Sequence, residues 1–309
     1  MIRTRLTDLL GIKHPILQAP MGWIARSTLV SAVSEGGGLG IMETSSGELD
    51  VIKQEIARAR TLTSKPFGVN IAQAFVRDPA IIDFIIEQGV RFVTTSAGDP
   101  TRYTARLKEA GLTVFHVVPT LDAALKAVDA GVDGLVVEGG EGGGFKNPQD
   151  VSSMVLIPLV CSRVDVPVVA AGGICDGVSM AAALALGADG VQMGTRMLAA
   201  LESPVHDNWK QALIKARETD TVFLNRFSRP SMRALKTDRT TRLERQDHVG
   251  FEEFATVTDL YFGGDLEASI ALGGQVMGRV DSIEPVAQIL EQAIIDCEAT
   301  IGRLSRTRG

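Results

Sequence analysis

Short apolar runs alternate with amphipathic segments through the first 200 residues. The runs are PILQAPM (15–21), GLGIM (38–42), PFGVNIA (66–72), RFVTTSA (91–97), TVFHVVP (113–119), GLVVEGG (134–140), PVVAAGG (167–173) and GVQMGTRM (190–197). Each has the length of a parallel strand buried on both faces, and most are rich in Val and Ile. The segments between them carry helical spacing. Leu49, Ile52 and Ile56 share one face, as do Leu121, Ala124, Leu125 and Val128. Gly89-Val90, Gly111-Leu112, Gly131-Val132 and Gly187-Ala188 suit glycines that end a helix before the next strand. Eight strand–helix units in this order predict a (β/α)8 TIM barrel, with a doubly wound sheet as the competing arrangement.

The rhythm stops near residue 200. LESPVHDNWKQALIKARETD reads as a helix with a polar lead-in, and no unit repeats from Thr221 to Arg279. We expect 200–280 to form a smaller cap over the barrel mouth, inserted between barrel segments 1–199 and 281–309. SIEPVAQILEQAIIDCEATIGRL is an amphipathic helix expected to dock back on the barrel.

Composition narrows the classes. The chain has 309 residues, 45% of them hydrophobic, and a net charge of -6. That charge, and the lack of basic clusters interleaved with aromatics, argue against nucleic acid and anionic membranes as partners. Cys161, Cys175 and Cys297 are too few and too scattered for a disulfide framework or a metal site. No apolar run reaches the roughly 18 residues of a membrane span, and MIRTRLTDLLGIKHP lacks a signal-peptide core. The expectation is a cytoplasmic protein with reduced thiols, no metal and a small-molecule substrate. Oligomeric state is open, a homodimer included.

In this fold chemistry gathers at the C-terminal ends of the strands. Those ends carry Ala19-Pro20-Met21-Gly22, Asn70, Thr95-Ser96-Ala97-Gly98, His116, Glu138 to Gly144, Ala171-Gly172-Gly173 and Gln192-Met193-Gly194-Thr195. Glycine, hydroxyls and amides dominate, while histidine, cysteine and paired carboxylates are nearly absent. Such a site binds something large and flat and leaves the hard chemistry to a cofactor. Gly172-Gly173 and Gly194-Thr195 end the seventh and eighth strands, where the fold usually holds a phosphate. This pattern also fits phosphosugar and nucleotide barrels. Asn70 either binds a ring edge or caps a helix. Gln192, inside the last strand, needs a partner. Glu138 either accepts from a ligand hydroxyl or pairs with a buried arginine. His116 is a candidate for catalysis or a structural residue. Met21 and Trp23 pack on a ring or on the core. His14, His206 and His248 read as surface or loop residues. Five of the six residues 139–144 are glycine, a run expected where backbone must approach something closely.

The blocks HPILQAPMGW, GGGLGIM, KPFGVNI, FVTTSAG, VVEGGEGGG, PVVAAGGICDG and ALALGADGVQMGTR, with a weaker ALGGQVMGRV, resemble the nitronate monooxygenase family. They are at least as similar to its relatives, the enoyl-ACP reductases of the second type and certain quinone reductases. The resemblance implies non-covalent FMN. Ala19, Met21 and Gly22 would lie beside the isoalloxazine, with Pro20 among the cofactor-binding residues and Asn70 on the ring's polar edge. Glu138, Gly142, Gly143 and Gly144 would lie near it. Gly172, Gly173, Gly194 and Thr195 would hold the phosphate, with Gln192 close by, and Ala171 and Met193 would belong to the same cofactor-binding set. Family members usually carry a proton-transferring histidine directly after the glycine run. Here that position is Phe145, which has no ionisable proton.

General acid–base catalysis is typically worth about 10²–10⁴-fold, so proton abstraction from a neutral nitroalkane is in question. The leading expectation is an FMN-dependent oxidoreductase that passes electrons from NADH or NADPH to an activated C=C or a quinone. The alternatives are nitronate monooxygenation without the usual base, a catalytically silent flavin-binding protein, and a phosphosugar or nucleotide barrel without flavin.

Overall fold

The computed structural model describes residues 2–308. Among them are eleven strands: β1 (Ile16–Gln18), β2 (Ile41–Met42), β3 (Gly68–Ala72), β4 (Phe92–Ser96), β5 (Thr113–Val118), β6 (Gly134–Glu138), β7 (Gly144–Lys146), β8 (Val168–Ala171), β9 (Gly190–Met193), β10 (Thr221–Leu224) and β11 (Ser231–Leu235). Each of the eight apolar runs supplies one barrel strand, shorter than the run itself. Their order is β1-β9-β8-β6-β5-β4-β3-β2, with every neighbouring pair parallel. With helices outside, this is a (β/α)8 TIM barrel.

The seam between β1 and β2 is closed by few backbone bonds. Gln18 N–H donates to Leu39 O at 3.0 Å and Leu39 N–H to Ile16 O at 2.9 Å. The Gln18 side chain completes it. Its Nε2 donates to Ile41 O at 3.2 Å and its Oε1 accepts from Ile41 N–H at 3.3 Å. A buried amide thus takes the place of a missing strand peptide and satisfies groups that would otherwise be costly to bury.

The helices follow the apolar spacing. Leu49–Leu62 buries Ile52, Ile56 and Ala59. The glycines expected to end helices all have positive φ, at 63° (Gly89), 80° (Gly111), 85° (Gly131) and 102° (Gly187). The helix after the eighth barrel strand is only Thr195–Leu198. The long Val286–Ser305 helix packs against both Gly177–Ala185 and Ser27–Glu35, and so fills the vacant eighth helical position. Gly177 permits this contact, since a Cβ there would lie 2.3 Å from Ala293 O.

The barrel interior has an apolar floor. Phe92 and Phe115 meet edge to face with centroids 5.2 Å apart, and Leu6 from the Arg5–Leu10 helix joins their cluster with Leu17, Leu39, Ile41, Val136 and Val169. Gly68 and Gly134 give the two rings their space.

Beyond the barrel strands, β10, β11 and β7 form an antiparallel sheet. Its third strand is the end of the glycine run, with Gly144 opposite Arg233, Phe145 opposite Met232 and Lys146 opposite Ser231. That hydrogen-bonded strand was not visible in a stretch so rich in glycine. Among the described residues no helix is long and apolar enough to cross a membrane.

Gly134→Val should destabilise the fold by about 1–3 kcal/mol through overpacking, because its Cβ would fall 2.3 Å from Phe115 Cζ. Urea unfolding of the two proteins measures the difference.

Candidate active site at the barrel mouth

Strand alternation decides which side chains reach the interior. On β5, Phe115 fills the floor, so His116 faces the helical layer. It is 3% exposed, with Nδ1 2.7 Å from Thr95 Oγ1. Burial lowers its pKa to about 4, against the opposing effects of the Gly98 backbone and Asp99. His116 is thus a neutral histidine set apart from the other candidates. On β9 the same rule sends Gln192 inward and Met193 outward into the core beneath the helices. Only the Met193 carbonyl takes part at the mouth, accepting from Ala19 N–H at 3.0 Å.

Above the apolar floor the interior turns polar. Asn70 Oδ1 accepts from Thr94 Oγ1 at 2.9 Å and Ser96 Oγ at 3.3 Å. Its oxygen is therefore committed, while Nδ2 has no acceptor among the described residues. Gln192 is 8% exposed, and its buried Oε1 has no partner among them either. Ala171 closes this level, with its carbonyl accepting from Gly139 N–H at 3.0 Å. Ala19, Pro20, Met21 and Gly22 form a half-buried turn after β1, with Gly22 tight against Ser45. Met21 and Trp23 both pack on the core.

Gly172 and Gly173 both adopt left-handed backbone, with φ at 83° and 77°. Gly172 also lies so close to the preceding loop that a Cβ would come 2.7 Å from Gly139 O. Gly194 and Thr195 begin the one-turn helix beside them. Thr195 Oγ1 accepts from Gly274 N–H at 2.9 Å, so its own proton is free for another acceptor.

The glycine run is packed largely by the protein itself. A Cβ at Gly143 would lie 2.4 Å from the Gly273 carbonyl carbon, and one at Gly142 would lie 2.6 Å from Lys146 Nζ. Gln275 N–H donates to Glu141 O at 2.9 Å, pinning the 273–275 segment across the run. The Glu141 carboxylate accepts from Ser153 N–H and Oγ, capping the Ser153–Cys161 helix. Gly144 alone of 142–144 has nothing within 4 Å of a built Cβ.

Pairing of β7 with β11 fixes the next two residues. Phe145 lies on the face of Met232 and packs with Phe75, Phe251 and Phe254 at centroid distances of 5.2, 5.7 and 5.7 Å. Lys146 lies on the other face. Its side chain is 4% exposed, and Nζ is paired with Glu138 Oε1 and donates to Gly139 O at 3.4 Å. Glu138 therefore meets a buried lysine rather than an arginine. Arg233, on the same face, donates from Nε to Gly140 O at 2.8 Å. Lys146, Arg233 and the aromatic group went unnoticed in the sequence because strand pairing across about 90 residues brings them here. Gly273-Gly274 had a signal, in the block ALGGQVMGRV.

The other histidines divide. His206 Nδ1 caps the Asp207–Lys215 helix and His248 is exposed. His14 lies in a loop, as expected, but is buried there at 7% exposure because its ring packs on the turn at Gly37.

Comparison with known proteins places this architecture in a family. The family model described as nitronate monooxygenase matches residues 3–80 and 73–296. The chain belongs to the nitronate monooxygenase family and is an oxidoreductase of that family. It is 39% identical over 248 residues to the (3aS,4S,5R,7aS)-5-hydroxy-7a-methyl-1-oxo-octahydro-1H-indene-4-carboxyl-CoA dehydrogenase of Rhodococcus jostii, covering 80% of this chain and 70% of that one. It is 33% identical over 270 residues to a probable nitronate monooxygenase of Staphylococcus aureus, covering 73% and 76%. The FabK structure from Thermotoga maritima superposes with a TM-score of 0.93 at 39% identity over 99% of this chain and 100% of that one.

His116 generates a pH prediction. A folded pKa of about 4, below the ordinary 6.5, means the unfolded chain takes up a proton first as pH falls. Relative to His116→Gln, the parent should lose stability between about pH 6.5 and pH 4, by up to about 3 kcal/mol. Above about pH 6.5 the difference should be constant. Denaturant titrations at a series of pH values measure it.

Proposed function

We propose that the mouth binds FMN and that the enzyme uses NADH or NADPH to reduce an activated C=C or a quinone. The observation that carries this reading is the pair of amides with unengaged ends, Asn70 Nδ2 and Gln192 Oε1, above a closed apolar floor. A donor and an acceptor at that level suit the polar edge of an isoalloxazine. Gly172, Gly173, Gly194 and the free Thr195 proton suit the phosphate. Bound FMN would supply the two-electron chemistry, and the protein the binding and orientation.

Residues 200–280 act in this reading as a cap that shapes the acceptor pocket. The aromatic group of Phe75, Phe145, Phe251 and Phe254 favours a flat or ring-bearing acceptor. The relative that acts on a fused-ring carboxyl-CoA is consistent with an acceptor of that size. Three free thiols and a nicotinamide donor fit a cytoplasmic location. A second reading, oxidation of preformed nitronates by O2, draws on the family match and on a superposition with the nitroalkane oxidase of Streptomyces ansochromogenes, at 27% identity and a TM-score of 0.83. That reaction starts from a carbon already deprotonated and does not require a base at Phe145.

The purified protein should carry flavin absorption, and NADH or NADPH should bleach it in anaerobic stopped flow. Failure of both donors would refute the reductase reading, and oxygen uptake stimulated by a nitronate alone would establish the second. Gln192→Met should raise the FMN dissociation constant by about 10–100-fold, the cost of leaving a flavin donor unpaired. Fluorescence titration of apoprotein reads that value, and an unchanged constant would remove Gln192 from the site.

A further inference from the structure

Reduction of an activated C=C requires a proton as well as a hydride, and this inference rests on the reductase reading above. Few groups at the mouth can deliver one. His116 faces away. Glu43 is fully buried and held by Arg26 Nε at 2.8 Å and by Ser46 N–H at 2.9 Å. Glu141 spends both oxygens on Ser153. Arg233 is fixed on Gly140 O and Asp150, and a guanidinium does not release its proton. Phe145 has none to give.

Lys146 remains. The alternation of β7 that turns Phe145 toward the cap aromatics turns Lys146 toward the end of β6. An ammonium has three donors. Glu138 Oε1 and Gly139 O take two, which leaves one uncommitted. Gly142 makes room for the pair itself, since a Cβ at that position would lie 2.6 Å from Nζ and 2.7 Å from Glu138 Oε1. Glu138 is 27% exposed, so the buried ammonium is paired with a carboxylate that solvent reaches.

We propose that Lys146 donates the proton to the substrate carbon, with Glu138 as its positioning partner. The hydride equivalent of a reduced nicotinamide nucleotide ends on the β-carbon of an enone or enoyl acceptor. The π pair moves to the carbonyl oxygen as an enolate. The Nζ–H bond then breaks as the α-carbon takes the proton, and the neutral amine regains one from solvent through Glu138. The sum is C=C plus NAD(P)H plus H⁺ giving CH–CH plus NAD(P)⁺.

The test uses the FMN-loaded enzyme with Lys146→Met and Lys146→Arg. Three readouts are compared with the parent: the FMN dissociation constant, flavin bleaching by NAD(P)H, and reoxidation by an enone against reoxidation by ferricyanide, which needs no carbon protonation. The expected result is a loss of about 10²–10⁴-fold in enone reoxidation in both variants, with FMN affinity, bleaching and ferricyanide reoxidation held within about threefold in Lys146→Arg. The Arg variant keeps the charge and a partner for Glu138, so it remains informative if the Met variant misfolds. Full enone activity in Lys146→Arg would overturn proton donation in favour of a purely electrostatic role. Equal losses with enone and ferricyanide would overturn it in favour of a structural one. A parent enzyme that neither donor bleaches would instead sink the reductase reading, and this proposal with it.

Discussion

The pairing of Gly144–Lys146 with Ser231–Leu235 is the interaction on which the mouth of this protein depends. Three residues of barrel loop become the edge of a second sheet. Because strand residues alternate, one register assigns Phe145 to the apolar side with Met232 and Lys146 to the polar side with Arg233. A slip of one residue would exchange them, placing an ammonium among Phe75, Phe251 and Phe254. The cost of burying an unpaired charge, several kcal/mol, holds the register against that alternative.

The same strand also explains the glycine run. The loop must pass under residues 273–275, beside the Glu138–Lys146 pair and over Gly172, all within a few ångströms. Glycine removes the Cβ that each contact would otherwise meet. The floor of the barrel uses the device in reverse, with Gly68 and Gly134 giving up side chains so that Phe92 and Phe115 can fill the lower interior. The result is a barrel closed and apolar below and lined above by amides and hydroxyls. It suits a ligand held by hydrogen bonds at its edge more than one attacked by a nucleophile.

Most of the barrel was legible in the sequence. A parallel strand buried on both faces must be apolar throughout, so all eight announce themselves, as do the amphipathic helices. The polar residues Asn70 and Gln192 could be picked out because an amide at the end of such a strand has few partners available. Phe145 was legible as a large apolar residue directly after the glycine run, though its surroundings were not. His14 and Met193 show the limit from the other side. Whether a residue faces inward, outward or a neighbouring turn follows from exact register and packing, which spacing alone leaves open.

Local pattern therefore determined the barrel strands and the helices between them, their order and the fold class, because hydrophobic periodicity and helix-ending glycines act over a few residues. The tertiary structure decided three things that local pattern cannot encode. It gave the eighth helical position to the C-terminal helix, recruited the glycine run into a sheet with strand 231–235, and set Lys146 on Glu138. Each is a contact between segments distant in the chain or a consequence of one. The physical reason is that such contacts depend on which surfaces remain unburied once the local elements have formed.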